Sequence, residues 1–192
     1  RRRRGLRPRR RPASASGNAL HDLQQMLDDD TVHAILCARG GYGLSRMIDD
    51  IDFSSFRKKP KWIIGFSDIT VLHAHINRRF HIATLHAPMA NAFNNKGHET
   101  EFVLSLQKAL TGKKLHYTSP PTSYDRKGIA AGELVGGNLT MMAHLLGTPS
   151  AYKTANKILF IEDIGEYLYH IDRLLLQLKR SGMLANIAGL IV

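Results

Sequence analysis

Residues 62–71 read Trp62-Ile63-Ile64-Gly65-Phe66-Ser67-Asp68-Ile69-Thr70-Val71. An apolar run stops at Gly65, a serine follows two residues later, and helix-compatible sequence resumes at once. This order predicts a strand that turns sharply into a helix and holds Ser67 up at the bend. A hydroxyl there stands beside the first N–H groups of the helix, which is the setting an acyl-transfer nucleophile needs. The same order also suits a serine that merely caps the next helix. The stretch departs from the hydrolase elbow Gly-x-Ser-x-Gly, because Ile69 occupies the last glycine position.

Working outward, strand and helix patterns alternate on both sides. Upstream, Leu20, Leu23, Met26 and Leu27 share one helical face, and Asp28-Asp29-Asp30 close that segment against the helix dipole. Residues 32–37 read as a buried strand, followed by the loop Arg39-Gly40-Gly41-Tyr42-Gly43 and a short helix over 44–48. Downstream, a helix over 68–78, a short strand over 82–85 and a helix over 98–110 are expected. A strand over 129–135, the pair Gly136-Gly137, a helix over 138–146 and a strand over 158–161 follow. The last strand ends at Glu162-Asp163, and an amphipathic helix runs from 166 to 180 with Leu168, Ile171, Leu174, Leu175 and Leu178 on one face. This alternation predicts an α/β fold with a mostly parallel sheet and helices on both faces.

Composition divides the chain. Residues 1–12 hold eight Arg and no acid, so 19 basic and 16 acidic side chains remain for the rest. The net charge of +11 is therefore a local head on a nearly neutral body. The head (1–17) lacks apolar residues to join a core and is expected to be disordered. It has no interleaved aromatics, and the body has no basic stripe, which argues against a nucleic-acid partner. No apolar run approaches the roughly 20 residues a membrane span needs, so no membrane partner is expected. Residues 18–112 form the expected N-terminal domain, the Pro-, Ser-, Thr- and Lys-rich stretch 113–127 a linker, and 128–192 a smaller C-terminal domain. The single cysteine, Cys37, excludes an internal disulfide and reads as a buried small hydrophobe. Both ends look cut: the chain starts with Arg, and it stops in the β-prone run Ala188-Gly189-Leu190-Ile191-Val192.

The glycine loop follows a strand and precedes a helix, so phosphate binding has to be weighed. Arg46 stands where a dinucleotide fingerprint needs its third glycine, and there is no Gly-Lys-Ser/Thr. A plain tight turn and a loop whose N–H groups face the Ser67 cleft both stay open. Adjacent parallel strands bring their C-terminal ends to one crevice, so the loop and the Ser67 turn can meet there. Glu162, ending an apolar strand, can orient a histidine as the acid of a serine triad does, or simply pair with Arg173 or a lysine. His73 and His75 sit too far into the helix after Ser67. His86, at a strand end, is the best base within the chain. No Cys/His pair has zinc spacing and there is no His-Glu-x-x-His, so neither metal nor cofactor is expected.

Several segments together resemble the LD-carboxypeptidases, the serine peptidase family that includes muramoyltetrapeptide carboxypeptidases and microcin-immunity peptidases. They are CARGGYG (37–43), IIGFSDIT (63–70), HAPM (86–89), GELVGGNLT (132–140) and FIEDIGEYLYHIDRLLLQL (160–178), in the family's order. The resemblance implies a Rossmann- or flavodoxin-like N-terminal domain, an incomplete smaller C-terminal α/β domain, and a Ser-His-Glu triad. In it Ser67 is the nucleophile and Glu162 the acid. The N–H groups of Asp68 and Gly41 form the oxyanion hole, and Gly40, Tyr42, His86 and Asn138 contact substrate. It further implies a cytoplasmic homodimer that removes the terminal D-alanine from murein tetrapeptides during peptidoglycan recycling, with a muropeptide or related small peptide as substrate. A microcin-immunity amide hydrolase and a non-catalytic muropeptide-binding protein are the alternatives. The family's opening strand is replaced here by the Arg-rich head. Its catalytic histidine lies in a Ser-Gly-His-type segment beyond Val192, so residues 1–192 alone are expected to be nearly inactive.

Overall fold

The computed structural model of the chain describes residues 15–94 and 99–192. Of the head expected to be disordered over residues 1–17, residues 1–14 lie outside the described residues, and 15–17 are corrected to the opening of the first helix. The first helix, α1 (Ala15–Asp28), starts three residues ahead of the Asn18 at which the apolar pattern begins. Its Leu23 and Leu27, one turn apart, are buried. The three acids that close it are offset by Lys61. This lysine is itself buried, and its ammonium donates to the carbonyls of Met26, at 2.7 Å, and Asp29. A cation on the last carbonyls satisfies unpaired acceptors and opposes the negative helix end.

Two three-stranded parallel sheets organise the chain. The first has the order β1 (Ala34–Leu36), β2 (Trp62–Gly65), β3 (Leu85–His86). The second has β4 (Leu134–Asn138), β5 (Ile158–Glu162), β6 (Gly189–Ile191). The α/β expectation with parallel strands therefore holds. The register sets Gly65 opposite His86 and Asn138 opposite Glu162, so the residues that matter chemically sit at strand ends. Helices α2 (Leu44–Met47) and α3 (Ser54–Lys58) connect β1 to β2. Helix α3 was not expected; at five residues, with Phe56 alone buried, it carries no readable period.

Helix α4 (Thr70–Phe80) follows a single 3-10 turn over Ser67–Ile69 and lies at the centre. Residues 70–76 are all buried, because α4 packs on the first sheet's elements on one side and on β4 and α6 (Leu139–His144) on the other. A helix enclosed all round must satisfy its polar side chains internally. His75 Nδ1 pairs with Ser150 Oγ at 2.8 Å, and His73 Nε2 with the Gly65 carbonyl at 2.9 Å. One apolar core runs through both halves, from Leu27, Phe56 and Ile63 across Leu72 and Ile76 to Met142, Leu159 and Leu178.

Helices α5 (Glu101–Leu110) and α7 (Leu168–Arg180) match their expected positions within three residues. Between α5 and β4 the chain is exposed and has neither helix nor strand. The strand expected over 129–135 is corrected: Ile129 is fully exposed, and β4 runs instead through Gly136 and Gly137 to Asn138. The glycine pair is not a stop signal. Both residues have φ near +145°. A Cβ on Gly136 would fall 1.8 Å from the Phe160 carbonyl oxygen, and one on Gly137 2.7 Å from Thr70 Oγ1. Glycine lets β5 and α4 approach this strand more closely than any side chain allows.

Candidate active site

The turn after β2 leaves Ser67 at φ 62°, in the left-handed region. For a residue with a Cβ this costs roughly 1–2 kcal/mol. Such strain persists only where surrounding contacts enforce it, and it clusters at functional sites. Three neighbours supply that enforcement. Gly40 lies against the serine: a Cβ there would come within 2.9 Å of Ser67 Cβ and 3.0 Å of Ser67 Oγ. Asp68, buried, accepts a hydrogen bond from Leu44 N at 3.1 Å through Oδ2, tying the serine turn to the start of α2. Burial raises the Asp68 pKa, and the Leu44 N–H works against that. Thr70 Oγ1 accepts from Asn138 N at 3.1 Å, tying the same turn to the end of β4.

The glycine loop and the serine turn thus meet, as the strand order required. Gly41 has φ 125° and Gly43 φ 121°. Among the described residues no hydrogen bond is made by the N–H of Gly41 or of Asp68. Tyr42 is 81% exposed, and its hydroxyl accepts from Arg46 Nη2 at 2.7 Å, so the ring is held over α2 by its neighbour one turn on.

Glu162 ends β5 with its carboxylate toward the first sheet. Its Oε1 lies 3.9 Å from His86 Nε2, a contact that joins the two sheets. Arg173, the alternative partner, stacks on Tyr169 instead. Burial raises the Glu162 pKa, with the Asn138 amide opposing and Asp163 adding to the rise. Burial likewise lowers the His86 pKa. Both shifts favour neutral forms, so this is a polar contact with capacity to spare. His86 Nδ1, Glu162 Oε1 and His73 Nδ1 are buried and make no hydrogen bond among the described residues. The His73 and His86 rings lie 6.4 Å apart, and Phe160 packs edge-on against His86 at 5.0 Å.

Asn138 is placed near Glu162, and its side chain also does structural work. Its Oδ1 caps α6 by accepting from Met141 N at 3.1 Å, and its Nδ2 donates to Asp163 Oδ1 at 3.1 Å. Asp163 also accepts from Thr140 N and Thr140 Oγ1, at 3.0 and 2.7 Å. Of the paired acids, then, Asp163 holds the α6 start while Glu162 faces the crevice. The bonding roles of His73, Thr70 and Asp163 were not foreseen; the first two depend on contacts across the fold that leave no local sequence signal. Among the described residues no group of three or more His, Cys, Asp or Glu side chains could hold a metal ion. No described helix is long and apolar enough to cross a membrane.

Comparison with known proteins gives two family matches: the LD-carboxypeptidase N-terminal domain over residues 5–87 and the LD-carboxypeptidase C-terminal domain over residues 131–192. A probable murein peptide carboxypeptidase of Bacillus subtilis is 41% identical over 94% of this chain and 57% of its own length. The murein tetrapeptide carboxypeptidase of Pseudomonas aeruginosa is 31% identical over 84% of this chain and 55% of its own length. The crystal structure of a muramoyltetrapeptide carboxypeptidase from Oxalobacter formigenes superposes with a TM-score of 0.73 at 33% identity, covering 88% of this chain and 58% of that one. An MccF-like protein from Bacillus anthracis gives 0.77 at 25% identity, over 92% and 62%. The chain therefore spans rather more than half the length of the relatives it matches.

Proposed function

The chain belongs to the LD-carboxypeptidase family, and we propose that it carries the nucleophile and the acid of a serine peptidase removing the terminal D-alanine of a murein tetrapeptide. One observation carries the reading: Ser67 is held in a left-handed conformation at a strand-to-helix turn, with the backbone of Gly40 against its side chain. A cap needs no such strain, since capping serines sit in extended backbone. Ser67 Oγ attacks the carbonyl before the D-amino acid. The N–H groups of Asp68 and Gly41 receive the developing oxyanion. The D-amino acid leaves with a proton, and water then releases the acyl group from Ser67. Glu162 orients the histidine that moves these protons. The names of the relatives support the murein substrate. The MccF-like neighbour keeps a second amide substrate in view for the same machinery, and the reaction is assigned to the cytoplasm in peptidoglycan recycling.

Two histidines compete for the role of base. The family resemblance supports a histidine elsewhere in the full-length protein. The 3.9 Å contact with Glu162 favours His86 as the second reading. Labelling of the full-length protein with a fluorophosphonate, mapped by mass spectrometry, tests the assignment. Ser67 is expected to take the label, Ser67→Ala to abolish it, and Glu162→Gln to slow it by about 10²-fold or more. Label retained by Ser67→Ala removes the proposal. Loss of labelling in His86→Gln, with the fold intact, favours His86 as the base.

A further inference from the structure

The described residues line an open cavity of about 650 Å³ with walls mainly of apolar side chains, among them Phe66, Met89 and Phe102. Phe66 precedes the nucleophile in the chain, and His86, the partner of Glu162, forms another part of the wall. One fixed cation lines the cavity, Arg39, and no Asp or Glu does. Arg39 is exposed and makes no hydrogen bond, ion pair or ring contact among the described residues. The other arginine of the loop region, Arg46, is occupied by Tyr42 through two hydrogen bonds and a stacking contact. An exposed arginine that lines an apolar cavity without a partner retains its full capacity for a planar anion.

Its position is specific. Arg39 is bonded directly to Gly40, the residue whose backbone abuts Ser67. In a peptide cleaved one residue from its end, the terminal carboxylate carbon lies within about 4 Å of the scissile carbonyl carbon. A carboxylate so close to the attacked bond falls within the length of the Arg39 side chain. We propose that Arg39 binds the free α-carboxylate of the departing residue and so restricts cleavage to the last peptide bond. The ligand class is a short peptide with a free C-terminus, and the inference rests on Ser67 being the nucleophile. An uncleaved C-terminal amide offers the guanidinium one neutral acceptor in place of two charged oxygens. Hydrogen bonds to charged groups exceed neutral ones enough to make this a difference of about 10- to 100-fold.

The test is equilibrium binding to the full-length protein carrying Ser67→Ala, using a murein tetrapeptide ending in D-alanine and the same peptide as its C-terminal amide. The acid is expected to bind about 10- to 100-fold more tightly than the amide. Arg39→Met should bring that ratio close to one, weakening the acid far more than the amide, and Arg39→Lys should keep part of it. Near-ultraviolet circular dichroism checks the fold of both variants. A preference that survives Arg39→Met, or no preference in the parent, overturns the inference and leaves the nucleophile assignment standing. Failure of both peptides to bind overturns the substrate reading and the inference with it.

Discussion

If contacts with Gly40, Asp68 and Thr70 force Ser67 into the left-handed region, position 67 should be less stable than it need be. Two substitutions separate this strain from the loss of the hydroxyl. Ser67→Ala removes the oxygen but keeps the Cβ that makes φ 62° costly. Ser67→Gly removes both. The strain relieved is about 1–2 kcal/mol, and the extra freedom glycine gives the unfolded chain takes back about 0.4–1 kcal/mol. Ser67→Gly should therefore be more stable than Ser67→Ala, by about 0.8 kcal/mol at the middle of these ranges. With a urea slope of about 2 kcal/mol per molar, the unfolding midpoint should rise by about 0.3–0.5 M. Equilibrium urea unfolding followed by circular dichroism measures this directly. A midpoint for Ser67→Gly at or below that of Ser67→Ala would refute the reasoning, since the position would then hold no strain for glycine to relieve.

Gly40→Ala places a Cβ 2.9 Å from Ser67 Cβ at a backbone position that any residue can adopt. The overlap should cost about 1–3 kcal/mol in urea unfolding, and the displaced serine should take a fluorophosphonate about 10- to 100-fold more slowly. Unchanged values for both would mean that Gly40 does not brace Ser67. His73 should dominate the acid limb of stability. Burial holds its imidazole at about 4, against an ordinary 6.5, with the Gly65 carbonyl opposing and His86 adding. As pH falls the unfolded chain takes the proton first. The stability is thus intact above pH 6.5 and is lost progressively between there and pH 4, by about 3 kcal/mol. Urea midpoints across that range should fall less steeply in His73→Gln, and an unaltered slope would assign the acid limb to other groups.

Much of this arrangement was legible in the sequence because it is written in short-range terms. The break of an apolar run at Gly65, the serine two residues on and the glycine loop after residues 32–37 are local patterns, and the parallel strands deliver them to one crevice as expected. The glycine pair at 136–137 misled for a physical reason. Glycine usually interrupts a strand, but here it is kept because Phe160 and Thr70 approach the backbone too closely for a Cβ. That requirement belongs to β5 and α4, which are distant in sequence. The same holds for Lys61, whose burial makes sense only once the α1 carbonyls are seen around its ammonium. Asn138 also does structural work that its motif does not announce, since its amide joins Met141 and Asp163 across segments distant in sequence.

The serine turn also explains how two separate sheets can hold one site. Three of its residues do different work within four positions. Ser67 presents the hydroxyl, Asp68 fastens the glycine loop through Leu44 N, and Thr70 fastens β4 through Asn138 N. Asn138 is the register partner of Glu162, so the distance between the Ser67 turn and Glu162 is fixed by one hydrogen bond and one rung of a parallel ladder. Gly137 tightens that link, because its missing side chain is what allows Thr70 to lie against β4. A larger residue at 137 would push the second sheet away from α4 and carry Glu162 with it. The strain at Ser67 follows from the same geometry: a turn anchored on both sides within four residues leaves the serine no freedom to relax into the extended backbone of an ordinary cap.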